Sequence, residues 1–232
     1  MANATLAILV VLTSHQQLGD TNEQTGFWLE EFTTPYYAFL DAGISVTLAT
    51  PLGGQAPIDP RSLTDDAQTD STKRFNNDKM SVKALAHTKK LSEVAAVHFD
   101  AIFYPGGHGP LWDLVTDKDS IALIELFWSQ GKPVSAVCHA PVALLNAKDE
   151  DGQLIINGKN VAGFTNSEEQ AVGLTDIVPL LLEDALIANE ANYSKSDDFQ
   201  PHVVVDGMLV TGQNPASAYG VAAAVIELVK DK

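Results

Sequence analysis

The first fifty residues constrain the fold more than any other stretch. The β-branched apolar run "TLAILVVL" (Thr5–Leu12) has the composition of a buried strand. Phe27–Ala42 then reads as an apolar-periodic helix closed by Gly43, and "ISVTLAT" (44–50) as a second strand. A strand, a crossover helix and a strand in that order make a parallel pair, and a parallel sheet needs helices on both of its faces. The chain is therefore expected to be an α/β protein with a parallel sheet at its centre.

Residues 51–98 interrupt this rhythm with "PLGGQAPIDPRS", an Asp-rich polar stretch and a mixed helical segment near Met80–Val94, and read as an insertion over the sheet edge or the site. The rhythm resumes in "FDAIFYPGGHG" (99–109), where an apolar strand runs into a double glycine. A helix near Ser120–Gln130, the strand "PVSAV" (133–137) and a helix after Cys138 follow. "DGQLIINGKNVAGF" (151–164) reads as a hairpin leading into another strand, "TNSEEQAVG" (165–173) as the start of a helix and "VPLLLEDALIANEA" (178–191) as a second one. "HVVVDGMLVTG" (202–212) is a hairpin turning at Asp206-Gly207, and "NPASAYGVAAAVIELVK" (214–230) is a closing helix. With no repeat and no low-complexity linker, residues 1–232 are expected to form one domain.

Charge and cysteine usage narrow the function. The 14 Lys and Arg against 30 Asp and Glu give a formal charge of −16, which repels nucleic acid and anionic membrane surfaces. No apolar run reaches the ~18–20 residues of a membrane helix. A single cysteine cannot form an internal disulfide, and the start "MANATLAILVVLTSH" lacks a basic leader region, so a cytoplasmic protein is expected. Cys138 and His139 are adjacent and lack the spacing of zinc ligands, and "DEDG" (149–152) lacks the rest of a calcium loop. No metal or cofactor is expected.

The lone cysteine lies in "PVSAVCHAPVALL" (133–145). Cys138 reads either as a small core residue or as a nucleophile. Its position, where a strand gives way to a helix, is where open α/β sheets bind ligands and where a side chain stands exposed on a sharp turn. The amino end of a helix would lower the thiol pKa from ~8.5 to roughly 3.5–7.5, giving a thiolate at neutral pH. The flanking glycines of the serine hydrolase motif G-x-S-x-G are missing. Gly106-Gly107 reads as a tight turn or as an oxyanion hole, and His139 as a core histidine or a general base. On the first helix Trp28, Phe32, Pro35, Phe39 and Leu40 share one face. Glu30 points nearly opposite and is expected to be solvated. Glu31 lies a quarter turn from the centre of that face, either as a boundary glutamate or as a desolvated carboxyl able to donate to sulfur.

Together these residues resemble the ThiJ/PfpI superfamily, the class I glutamine amidotransferase-like group of flavodoxin-like fold. The resemblance is closest to its branch of glutathione-independent glyoxalase III enzymes and stress chaperones. It runs through "TGFWLEEFTTPYYAF", "VTLATPLGG", "FYPGGHGPLWD", "AVCHAP", "GFTNSEE" and "LVTGQNPASA". It implies a flavodoxin-like parallel-sheet sandwich with an inserted cap segment. It also implies Cys138 as nucleophile, His139 as acid and base, Glu31 as the carboxyl hydrogen-bonded to the cysteine, and Glu169 as the carboxylate orienting the histidine. Thr165-x-x-Glu168 makes a capping box, which would occupy Glu168 and leave Glu169 available. Gly107 and the His139 N–H match the oxyanion donors of the family; Gly106 and His108 are placed with the oxyanion and substrate-binding set.

The implied activity is conversion of methylglyoxal and related 2-oxoaldehydes to 2-hydroxy acids such as D-lactate, a lyase reaction without glutathione or cofactor. A homodimer is implied as well. A class I glutaminase carries a His-x-Glu pair near its C-terminus, whereas the only histidine here after residue 139 is His202, without that glutamate. Two rivals stay open: a cysteine-dependent hydrolase, either peptidase or deglycase, and a non-enzymatic stress holdase or redox sensor.

Overall fold

The computed structural model describes residues 6–231; Thr5, where the first strand was expected to begin, lies outside them. Strand β1 (Ala7–Val11) is buried except at its first residue, as a strand covered on both faces must be. Helix α1 (Leu29–Asp41) opens with Glu30 and Glu31 in its first turn, where carboxylates complement the helix dipole. It closes in a Schellman arrangement: Gly43 N–H donates to the Leu40 carbonyl and Ile44 N–H to that of Phe39. Strand β2 (Ser45–Thr50) pairs parallel to β1, with Ala7 opposite Ser45.

Residues 51–98 form short 3-10 turns, helices α2 (Asp70–Asn77) and α3 (Lys79–Leu85), and the edge strand β3 (Lys89–Lys90) beside β2. Helix α2 packs on α1. It was hidden within the polar stretch because only Thr72 and Phe75 of its "DSTKRFNN" are buried. A reciprocal Thr69–Thr72 capping box starts it, and Asp78 caps α3.

Strand β4 (Ala101–Tyr104) pairs with β1 on the side away from β2, and helix α4 (Lys118–Ser129) leads to β5 (Val134–Val137) beyond β4. The order β2-β1-β4-β5 therefore reverses direction between β1 and β4. Right-handed crossovers consequently place α1 and α4 on opposite faces. The expected helix after Cys138 is a 3-10 helix of five residues, Ala140–Leu144. The expected hairpin at 151–164 is also absent. Strand β6 (Asn160–Val161) instead pairs parallel with β7 (Asn192–Tyr193) in a separate two-stranded sheet.

Helices α5 (Asn166–Ala171) and α6 (Leu182–Ala188) lie between β6 and β7. The hairpin of β8 (Val203–Asp206) and β9 (Leu209–Gly212) forms as expected, centred one residue later on Gly207-Met208, and β9 adds parallel to β5. Helix α7 (Ala218–Lys230) returns to pack against α1. The seven-stranded sheet has the order β3-β2-β1-β4-β5-β9-β8 and is parallel except for β8. Among the described residues no helix is long and apolar enough to cross a membrane.

Candidate active site

The loops leaving β4 and β5 lie side by side, next to the switch point, and carry the PGGHG and CHAP stretches. Cys138 has φ +62°, a left-handed conformation that costs a β-carbon residue about 1–2 kcal/mol. Hydrogen bonds on both sides hold it there: its N–H donates to Gly212 O and its carbonyl accepts from Phe164 N, each at 2.9 Å. The thiol is 3% exposed, at the floor of a pocket and not on the open surface.

Glycine at 106 and 107 lets three segments meet at that floor. A Cβ on Gly106 would lie 2.5 Å from both Glu31 Oε2 and the Val137 carbonyl and 2.7 Å from Cys138 Cβ. Gly107 has φ +91°, and its Cβ would lie 2.5 Å from Trp28 N. The two glycines thereby dock the end of β4 onto the start of α1 and onto the cysteine turn. Gly106 N–H donates to Glu31 Oε2 at 2.9 Å, so it is not available to a substrate oxygen. The Gly107 N–H is directed at the sulfur, and the adjacent His139 N–H donates to no other group among the described residues.

Glu31 is fully buried. Burial pushes its carboxyl well above the usual carboxylate range, against smaller opposing effects of the Cys138 thiol and Gly106 N–H. Its Oε1 makes no hydrogen bond of good geometry among the described residues. Pro35, one turn on, has no N–H to donate to the Glu31 carbonyl. Glu30 is half-buried and not fully solvated, with its own carboxyl raised by burial. The buried side of α1 is wider than one stripe because α2 and α7 flank it. Leu40 emerges partly exposed, while Tyr36 and Tyr37 are buried.

The carboxylate that meets His139 is Glu169, with Oε2 2.7 Å from Nε2. Its neighbour Glu168 is consumed by the capping box: its Oε2 accepts from Thr165 N–H at 2.9 Å. Burial alone would raise the Glu169 carboxyl, but His139, through its charge when protonated and its N–H, and the His108 N–H outweigh it and hold it well below the usual range. An ionised carboxylate only accepts hydrogen bonds, so both imidazoles donate through Nε2. The lone pair of His139 Nδ1 is thereby turned towards Cys138 Sγ, 3.3 Å away. The thiol is not the low-pKa group expected from its sequence position. Burial pushes it up, as does the Glu31 charge, and five residues of 3-10 helix supply no full helix dipole to counter them.

His108 Nε2 lies 2.8 Å from Glu169 Oε1, and its Nδ1 accepts from Arg61 Nη2 at 3.1 Å. Both ring nitrogens are committed, so the expected oxyanion or substrate hydrogen bond from this side chain is not made; its ring contributes only to the pocket wall. Burial, and next the charge of His139, lowers its pKa to about 4 and keeps it neutral. Arg61 is in turn gripped by Asp59, which is buried and accepts from Thr25 Oγ1 at 2.8 Å. Ligand atoms of His108, His139 and Glu169 lie within 4.8 Å of one another, close enough to consider a metal ion. Both facing nitrogens carry the protons that bind the carboxylate, so an ion would have to displace both protons and disassemble the cysteine–histidine–glutamate arrangement.

The pocket above Cys138 has a volume of about 140 Å³. Trp28, Phe164, Val172, Phe199 and Pro215 form its apolar walls, so the cover comes mainly from residues 164–215, and from the 51–98 segment Arg61 reaches the site at His108. Phe164 lies over the His139 ring, with centroids 4.2 Å apart. Sequence reasoning missed these wall residues together with Asp59 and Arg61. The one available signal was an aromatic residue stranded in the polar loop "SKSDDFQP".

The profile of the DJ-1/PfpI family matches residues 24–228. Glyoxalase 3 of Candida albicans is 30% identical over 227 residues, covering 94% of this chain and 96% of that protein. The crystal structure of glyoxalase III from the same organism superposes with a TM-score of 0.89 over 96% of both chains, at 30% identity. The Rapid Encystment Protein of 24 kDa from Francisella tularensis superposes with a TM-score of 0.93 at 37% identity, covering 97% of this chain and 99% of that one. Agreement in sequence profile, in fold and in near-complete length leads to one assignment: the chain belongs to the DJ-1/PfpI family.

Proposed function

We propose that the protein is a glutathione-independent glyoxalase, converting methylglyoxal and related small 2-oxoaldehydes to 2-hydroxy acids. The observation that carries this reading is a cavity of about 140 Å³ with a cysteine, a base and an acid on its floor and apolar walls elsewhere. It suits a free 2-oxoaldehyde. A glutathione adduct or an extended peptide has no place in it, which disfavours the peptidase alternative.

In the proposed mechanism His139 Nδ1 takes the thiol proton as Cys138 Sγ adds to the aldehyde carbon, forming a hemithioacetal. Glu169 stabilises the imidazolium through Nε2. The Gly107 and His139 N–H groups face the developing oxyanion. The imidazolium passes the thiol proton to the hemithioacetal oxygen, and His139, neutral again, moves the C1 proton to C2 through an enediol while the protonated Glu31 carboxyl donates to the substrate oxygen. Water hydrolyses the resulting thioester and releases the hydroxy acid. Atoms balance as aldehyde plus water to acid, and the steps call for no metal or organic cofactor.

A homodimer, a cytoplasmic location and a single domain over 1–232 with an insertion at 51–98 belong to the same reading. The test is purified protein incubated with methylglyoxal and no glutathione, with lactate read by an enantioselective assay. D-lactate at enzymatic rates supports the reading. No lactate, or lactate formed only with glutathione, overturns it.

A further inference from the structure

Phe199 is one of three non-glycine residues with positive φ among those described, at +59°. Like the cysteine, it is an unfavourable conformation that surrounding bonds enforce. Its N–H donates to Glu168 Oε1 at 2.7 Å, and that same buried oxygen accepts from Asn214 Nδ2 at 2.8 Å and Gln213 Nε2 at 3.1 Å. The rest of the loop is tied on both sides: Ser196 N–H donates to Gln213 Oε1 at 2.8 Å, Asn214 Nδ2 to the Gln200 carbonyl at 2.8 Å, and Ser167 Oγ to Asp198 Oδ1 at 2.5 Å. These bonds hold an aromatic ring 46% exposed at the pocket mouth, against Phe164, which itself covers His139. An aromatic side chain pinned in a strained, half-wet position gains little for the core.

We propose that Phe199 is a specificity-determining residue of this site and that Glu168 is its positioning residue. The ring caps the apolar pocket and limits the aldehyde substituent to a small, uncharged group, from methyl to about a single aromatic ring. Glu168 acts by fixing the loop, through the carboxylate oxygen that the capping box leaves over. The substrate class rests on the glyoxalase reading above; the gate itself does not.

The test compares wild type with Phe199→Ala, Phe199→Gly and Glu168→Gln. Glycine adopts the left-handed backbone without strain and so keeps the loop path while removing the ring. Two measurements are made. The first is kcat/KM for methylglyoxal, phenylglyoxal and 4-biphenylglyoxal. The second is the alkylation rate of Cys138, the only cysteine, by iodoacetamide and by N-(1-pyrenyl)maleimide. Removing the ring should raise the biphenyl-to-methyl ratio of kcat/KM, and the pyrenylmaleimide-to-iodoacetamide ratio of alkylation, at least tenfold. Glu168→Gln should move both ratios in the same direction by a smaller factor. If wild type turns over no aldehyde, the glyoxalase reading fails while alkylation still tests the gate. Ratios unchanged in both Phe199 variants would overturn the gate, and ratios unchanged in Glu168→Gln alone would overturn the positioning role.

Discussion

At the scale of single residues, the proposed chemistry depends on two adjacent buried groups, Glu31 and Cys138, that both prefer to keep their protons. Glu31 and Cys138 are each raised by burial, and each would raise the other if both ionised. In the proposed mechanism the sulfur is therefore activated by His139 as base, since burial disfavours a standing thiolate. Glu31→Gln keeps the shape but cannot supply or take up the proton, and should lower turnover by about 10²-fold or more. Glu30→Gln should change it less than about threefold, since general-base and oxyanion contacts are untouched. Steady-state rates of the two variants check this, and a reversed order would contradict the placement of Glu31. The same substitution has a stability signature. Glu31 has a folded pKa above its unfolded value, so its contribution is full below about pH 4.5 and is lost as pH rises through the folded pKa. Glu31→Gln should therefore melt higher than wild type at alkaline pH, with the gap closing in acid.

At the scale of elements, the longer strands of the main sheet and the nucleophile turn were legible because their apolar runs are local signals, whereas the two-residue strands β3, β6 and β7 were not. The Thr165–Glu168 capping box was legible for the same reason and separates the two adjacent carboxylates. Thr165→Ala should cost about 1 kcal/mol at the N-cap. Because Glu169 follows in that first turn, kcat should fall by more than the small loss of folded protein explains. Denaturant titration beside active-site titration separates the two effects. Other features left no local trace. The 3-10 helix after Cys138 and the α-helix expected there share the same apolar composition, and α2 is set by two buried residues and its caps. The tie from Arg61 to His108 spans 47 positions and follows from tertiary packing alone. So does Phe199 over Phe164, which no periodicity connects.

At the scale of the whole molecule, the buried histidine–glutamate–histidine group makes acid stability a property of the site. His108 has a folded pKa of about 4, below its ordinary 6.5, so its contribution is present above pH 6.5 and is lost as pH falls towards 4. That difference corresponds to on the order of 3 kcal/mol. Glu169, also depressed, adds a second loss below its ordinary 4.5. Urea titrations between pH 7 and pH 4 should show stability falling through this window, with a shallower fall in His108→Gln. A flat profile in wild type would mean that the histidine takes up a proton without penalty. The most direct measurement of the central claim is Cys138→Ala, assayed for methylglyoxal turnover and for melting temperature together. Gly212 and Phe164 hold the turn through backbone atoms alone, so alanine keeps the elbow. The account predicts no detectable turnover with a melting temperature within a few degrees of wild type. Turnover near the wild-type rate in a folded Cys138→Ala protein would contradict it.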